Sequence, residues 1–99
     1  MNDVEFAQEA EKIIDKIAET IEEADPEGAI DIDLNAGILT LETEHGVFVI
    51  NKQSAAKEIW LSSPISGPYH FVPKNRAWVS RTGADLFAVL TEELKIAIK

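Results

Sequence analysis

The chain contains no cysteine. It therefore forms no disulfide, supplies no thiolate nucleophile and builds no thiolate-held metal site or cluster of its own. Histidine is nearly as scarce, His45 and His70 being the two imidazoles among 99 residues, so any metal chemistry falls to oxygen ligands with those two rings as helpers. No apolar run approaches the roughly 18 residues of a membrane-spanning helix. The opening MNDVEF has neither the basic lead-in of a secretory signal nor the arginines of an organelle transit sequence. No membrane partner is expected. The expected location is the cytoplasm of a bacterium, with a mature mitochondrial form as the alternative.

Basic charge is thin as well, and it is unevenly placed. The net charge is -9; the first 33 residues carry twelve acids against Lys12 and Lys16, whereas the remaining 66 carry six acids and seven bases. Nearly all the excess negative charge thus sits at one end of the sequence. Such a distribution repels nucleic acid and attracts cations or a basic protein surface. A chain of this length is expected to form a single domain over residues 1–99 with one core, burying roughly 60 to 65% of its unfolded surface.

Periodicity supplies the elements. Phe6, Ala10, Ile13, Ile17, Ile21 and Ala24 recur at steps of three and four, which predicts an amphipathic helix capped by Asn2 or Asp3. Glu11, Asp15, Glu19 and Glu22 fall within about 80° of one another on a neighbouring stripe, with Lys12 and Lys16 further round. Asp25-Pro26-Glu27-Gly28 ends the helix, because proline cannot continue the hydrogen-bond ladder.

Ala29 to Leu34 then alternates, with Ile30, Ile32 and Leu34 facing a core and Asp31 and Asp33 facing away. After the turn at Asn35-Ala36-Gly37, Leu39 and Leu41 point inward from a second strand, Ile38 to Thr43. His45-Gly46 turns the chain into Val47 to Gln53, with Phe48 and Ile50 inward and Asn51 and Gln53 outward. Glu58 to Ser62 follows, with Ile59 and Leu61 inward and Trp60 outward. A loop over Ser63 to Pro68 precedes short strands at Tyr69 to Val72 and Ala77 to Ser80, the latter holding Trp78. Thr82 is positioned to cap a closing helix over Asp85 to Ile98, with Leu86, Leu90, Leu94 and Ala97 on its apolar face. Short turns between successive strands require antiparallel pairing. The fold class is therefore α+β: a two-layer α-β sandwich, N- and C-terminal helices on one face of an antiparallel sheet of five to seven strands, the other face open.

Several residue patterns invite chemistry. Asp31, Asp33, Asn35 and Glu42 occupy the first, third, fifth and twelfth positions of an EF-hand loop, but the sixth is Ala36 instead of glycine and the flanks alternate as strands, so a calcium loop of that kind is rejected. Nothing in the sequence activates Ser62, Ser63 or Ser66 as a nucleophile, and the chain is not expected to be an enzyme. A charged helix face is most often merely solvated. Here, however, the acids run on through Asp25, Glu27, Asp31 and Asp33, and crowding like charges costs stability unless a cation or a basic partner relieves it. Such a ridge offers hard oxygen ligands for ferrous or ferric iron, manganese, calcium or magnesium, without a preformed cage. Trp60 on an outward face wastes apolar area unless something docks there, although a register slip of one residue would make it core.

The segment IDIDLNAGILTLET followed by VFVINKQSAAKEIWLSSPISGPYHF resembles the frataxin family, and the acidic opening is similar to that of its bacterial, CyaY-type members. The resemblance spans nearly the whole chain and implies an iron-binding protein of iron-sulfur cluster assembly that docks on a cysteine desulfurase and its scaffold protein, monomeric without metal. Carried over by position, it implies an iron-binding and desulfurase-contacting ridge of Glu19, Glu22, Glu23, Asp25, Glu27, Asp31 and Asp33, extended by Glu11 and Asp15. It further implies a scaffold-contacting sheet surface of Asn51, Lys52, Gln53 and Trp60. Where many eukaryotic members place a basic residue shortly after SGP, this chain has Tyr69-His70, and His70 is the expected substitute. Oxidation of ferrous iron on the ridge is the enzymatic alternative.

Overall fold

A computed structural model describes residues 1–98 of the chain; residue 99, the last of the expected 1–99 domain, lies outside them. The order is α1 (Asp3–Ala24), β1 (Asp31–Asn35), β2 (Ile38–Thr43), β3 (Gly46–Gln53), β4 (Glu58–Ser63), β5 (Gly67–Lys74), β6 (Ala77–Val79) and α2 (Leu86–Leu94). Each strand pairs antiparallel with its neighbour in sequence, giving one sheet ordered β1-β2-β3-β4-β5-β6. The two-layer α+β sandwich expected from the sequence is the fold observed.

The N-terminus of α1 forms where Asn2 caps it, its side-chain oxygen accepting the Glu5 N–H at 2.8 Å, with Asp3 and Glu5 matching the positive end of the helix dipole. The helix buries Phe6, Ala10, Ile14, Ile17, Ala18 and Ile21. Of the adjacent isoleucines Ile14, and not Ile13, is the deep one; a period of 3.6 fits either, so the pattern could not separate them. Ala24, in the final turn, is exposed.

On the sheet, alternation decides burial. Leu39, Leu41, Phe48, Ile50, Ile59, Leu61 and Phe71 all face the helices and join the buried face of α1 in one core. Trp78 belongs to that core, meeting Phe6 edge to face with ring centroids 5.9 Å apart. The edge strand departs from expectation: Ile32 is half-buried and Leu34 is 42% exposed, because β1 has a neighbour on one side only.

Three boundaries also move. Ser63 closes β4 and Gly67-Pro68 opens β5, which shortens the expected loop to Pro64–Ser66. The cap of α2 is Asp85, which accepts the Ala88 N–H at 2.9 Å, while the Thr82 hydroxyl is hydrogen-bonded to that of Ser80. The helix ends at Leu94, where Lys95 turns left-handed with φ 60°; Ala97 is consequently exposed and Ile98 buried.

Candidate functional site

The acidic residues are gathered by the packing of α1 against the edge strand. Asp15, Glu19, Glu22, Asp25 and Asp31 line an open groove of about 590 Å³ whose floor is Ala18, Ile30, Ile32 and Leu34. Glu11 and Asp15 border an adjoining hollow with Ile14, Leu34 and Gly37. Glu23, Glu27 and Asp33 line neither. The two bases of α1 are turned elsewhere: Lys12 lies 3.7 Å from Glu9, and the Lys16 ammonium sits 5.9 Å from the centre of the Phe87 ring. No basic side chain lies within 4.0 Å of Asp15, Glu19, Glu22 or Asp31 among the described residues.

Asp25 differs from its neighbours. Its two carboxylate oxygens accept the N–H groups of Ala29 at 3.0 Å and Ile30 at 2.8 Å. It therefore ties the end of α1 to the start of β1, with one backbone bond on each oxygen.

Across the hairpin Asp31 stands opposite Glu42. Like charges directly opposed on a sheet are destabilising, which a cation at this edge would relieve. The sequence offers Glu42 only as a calcium-loop position; its place here follows from hairpin register, which the spacing of β1, turn and β2 determines. The pairing also shows why the EF-hand spacing is coincidental: those residues lie along an antiparallel ladder.

As donors, the groove carboxylates suit ferrous iron and other hard divalent cations. Among the described residues, no three His, Asp or Glu side chains converge as a set that could hold a metal ion.

The second cluster lies on the sheet face turned away from the helices. Cross-strand register sets Asn51, Trp60 and His70 in one row over β3, β4 and β5. The Trp60 indole stacks on the His70 imidazole and donates its N–H to Glu58 Oε1 at 2.8 Å; the same oxygen lies 3.8 Å from His70 Nδ1. Gln53 donates to Asn51 at 3.3 Å. Trp60 is half-buried, held by its polar neighbours and outside the core. Glu58 opens the strand that the sequence predicts without marking it as part of a site; its role needs the geometry of both rings.

Lys52 does not share this face. Strand alternation puts it opposite Ile59, on the helix side, and its ammonium reaches Glu11 at 3.0 Å. Grouping it with Asn51 and Gln53 is thus corrected, and Glu11 is the ridge acid with a cation already beside it. His45 is exposed in the β2–β3 turn, 3.5 Å from Glu44.

Charge is separated across the sheet. The β1 edge is acidic, while Lys74, Arg76 and Arg81 stand at the opposite edge, on the β5–β6 hairpin and the turn that follows. A molecule polarised in this way orients itself in the field of a charged partner before contact.

These features define a class: an open-faced α-β sandwich with a carboxylate-lined edge and a stacked aromatic patch on its bare sheet. The chain belongs to the frataxin-like family, whose domain model matches residues 1–99. It is 43% identical over 98 residues to the mitochondrial frataxin homolog of Saccharomyces cerevisiae, an alignment that covers 94% of this chain and 56% of that protein, so the chain spans little more than half its relative's length. A crystal structure of trimeric yeast frataxin complexed with ferrous iron is similar with a TM-score of 0.82 at 43% identity, covering 91% of this chain and 85% of that one. Frataxin from Psychromonas ingrahamii, of the CyaY protein family, is similar with a TM-score of 0.79 at 32% identity, covering 100% and 97%.

Proposed function

We propose that the protein binds iron as cargo along its acidic edge and modulates iron-sulfur cluster assembly by docking on a cysteine desulfurase and its scaffold protein. The observation that carries this reading is the groove between α1 and β1, which Asp15, Glu19, Glu22 and Asp31 line without a basic partner among the described residues. Iron in a related structure supports the cargo: the yeast frataxin described above is complexed with ferrous iron.

In this reading Glu19, Glu22, Asp15 and Asp31 form the centre of the iron-binding ridge. Glu11, Glu23, Glu27 and Asp33 extend its field, and Asp25 holds its shape. Asn51, Gln53, Trp60 and His70 form the scaffold-facing surface. The domain over residues 1–99 works as a carrier and modulator, not as an enzyme, and is monomeric without metal, although the yeast relative is a trimer in its crystals. No helix among the described residues is long and apolar enough to cross a membrane. The compartment is that of its partners, a bacterial cytoplasm, with the mitochondrion named for the yeast relative as the alternative.

Ferrous iron titrated into the isotopically labelled protein is expected to perturb Asp15 to Asp31 first and leave α2 unchanged. A uniform response, or none, would sink the reading. The absence of a converged three-ligand set favours a second reading, in which the ridge is a protein contact alone and metal binding is incidental. Neutralising Asp31 and Asp33 separates the two: desulfurase affinity falls in both, but iron affinity holds only in the second.

A further inference from the structure

Ser63 is the single buried polar residue among those described, at 7% exposure. Its hydroxyl oxygen accepts the N–H groups of Ile65 at 3.0 Å and Ser66 at 3.1 Å, and it donates to Glu93 Oε1 at 2.5 Å. A hydroxyl has one proton and two acceptor sites, so every bond available to Ser63 is used. The other Glu93 oxygen takes the hydroxyl proton of Ser66, also at 2.5 Å.

Glu93 stands in the last turn of α2 and has no basic side chain within 4.0 Å among the described residues. Its charge is instead held by two hydroxyls of the β4–β5 loop, and bonds of this kind are roughly twice as strong as neutral ones. The far side of the loop is pinned too. A Cβ at Gly46 would stand 2.7 Å from Pro64 Cβ, so the loop rests directly on the start of β3.

A loop clamped from both sides determines the register of its hairpin. Here Ser63 closes against Gly67, and the ladder continues through Leu61 with Tyr69 to Trp60 with His70. A slip of one residue would take Trp60 off the imidazole and turn it toward the helices. We infer that Glu93, on the helix layer, is a positioning residue for the opposite face of the molecule: by holding Ser63 and Ser66 it keeps the register that lays Trp60 on His70. The functional weight of this inference rests on the proposed docking role of those two rings.

The test uses Glu93→Ala, Glu93→Gln and Ser66→Ala in the full chain, first without any partner. Glu93→Ala is expected to speed amide hydrogen exchange at Ile65 and Ser66 by about tenfold or more. It is also expected to shift the indole N–H resonance of Trp60, assigned by Trp60→Phe, while that of Trp78 stays in place. Glu93→Gln, which keeps one acceptor oxygen, moves the same signals less. Unchanged amides and an unchanged Trp60 resonance, even with a lowered unfolding temperature, would reduce Glu93 to a structural tether and overturn the inference. Should Glu93→Ala not fold, Ser66→Ala removes only the exposed bond, and silence of both signals in that variant overturns it equally.

Titration with the scaffold protein then separates the two claims. Wild type that does not bind removes the docking reading and leaves the spectroscopic result standing. Wild type that binds while Glu93→Ala binds equally well, its loop loosened, removes the positioning inference alone. The expected result is about a tenfold loss of scaffold affinity in Glu93→Ala.

Discussion

The indole of Trp60 lies flat against the imidazole of His70, ring centroids 4.3 Å apart and planes 10° from parallel, on the face of the sheet that the helices do not cover. One oxygen of Glu58 receives the indole N–H and lies near His70 Nδ1. The large apolar side chain is thus held in place by surface groups instead of a core.

Trp60 and Trp78 should therefore respond differently to truncation. Trp78→Ala removes a core ring and is expected to lower unfolding free energy by about 3 to 5 kcal/mol. Trp60→Ala loses one stacking contact and one hydrogen bond, about 1 to 2 kcal/mol. Chemical denaturation of both variants measures the difference. The scaffold affinity should fall only for Trp60→Ala once each variant is measured under conditions where it is folded.

Lys52 tests the assignment of faces. Because it pairs with Glu11 on the helix side with its own side chain 21% exposed and its partner's 54%, Lys52→Met should change stability by less than about 1 kcal/mol. The difference should shrink further in high salt. Scaffold affinity is expected to stay at the wild-type value. A large loss would return Lys52 to the docking surface.

The ridge acids should divide into two kinds. Asp25→Ala strands the N–H groups of Ala29 and Ile30 and is expected to cost about 1 to 3 kcal/mol, with Asp25→Asn intermediate. Glu19→Gln with Glu22→Gln relieves like-charge crowding and is expected to leave stability unchanged or raise it by a few tenths of a kcal/mol. Iron titration should weaken in the second pair. Thermal unfolding alongside calorimetric titration distinguishes shape-holding acids from ligand acids.

The β1–β2 turn offers a gain. Ala36 has φ 52° and Gly37 φ 79°, a two-residue hairpin turn in which the alanine occupies a left-handed conformation that its Cβ disfavours. Ala36→Gly should raise stability by about 0.5 to 1 kcal/mol without altering iron binding. A loss would mean that backbone entropy outweighs the relieved strain.

Much of this architecture was legible in the sequence because alternation and helical period are local signals. Parity alone places Leu39, Leu41, Phe48, Ile50, Ile59 and Leu61 in the core, and all six are fully or almost fully buried. What could not be read depends on long-range geometry. The depth of Ile14 over Ile13, the exposure of Leu34 on an edge strand and the cap at Asp85 each follow from which layer lies alongside. The acids illustrate the same boundary. Their clustering was visible as composition, yet the separation of Asp25, bonded to backbone, from Glu19 and Glu22, open to solvent, required the path of the chain after α1. Glu93 carried no signal at all, since its partners lie 30 and 27 residues earlier.

The strictly sequential strand order bears on how the molecule assembles. Every pairing closes only a short connection, so the sheet can zip outward from any hairpin, with little chain entropy lost at each step. β1 is the last tooth of that zipper, pairing on one side with β2 alone and exposing most of its residues. It can fray while the buried rows of β2 to β5 stay closed, which makes Asp31 and Asp33 passengers on one of the least costly parts of the fold to open. Whatever engages these two acids therefore acts also as a latch on the edge, slowing its breathing without touching the core.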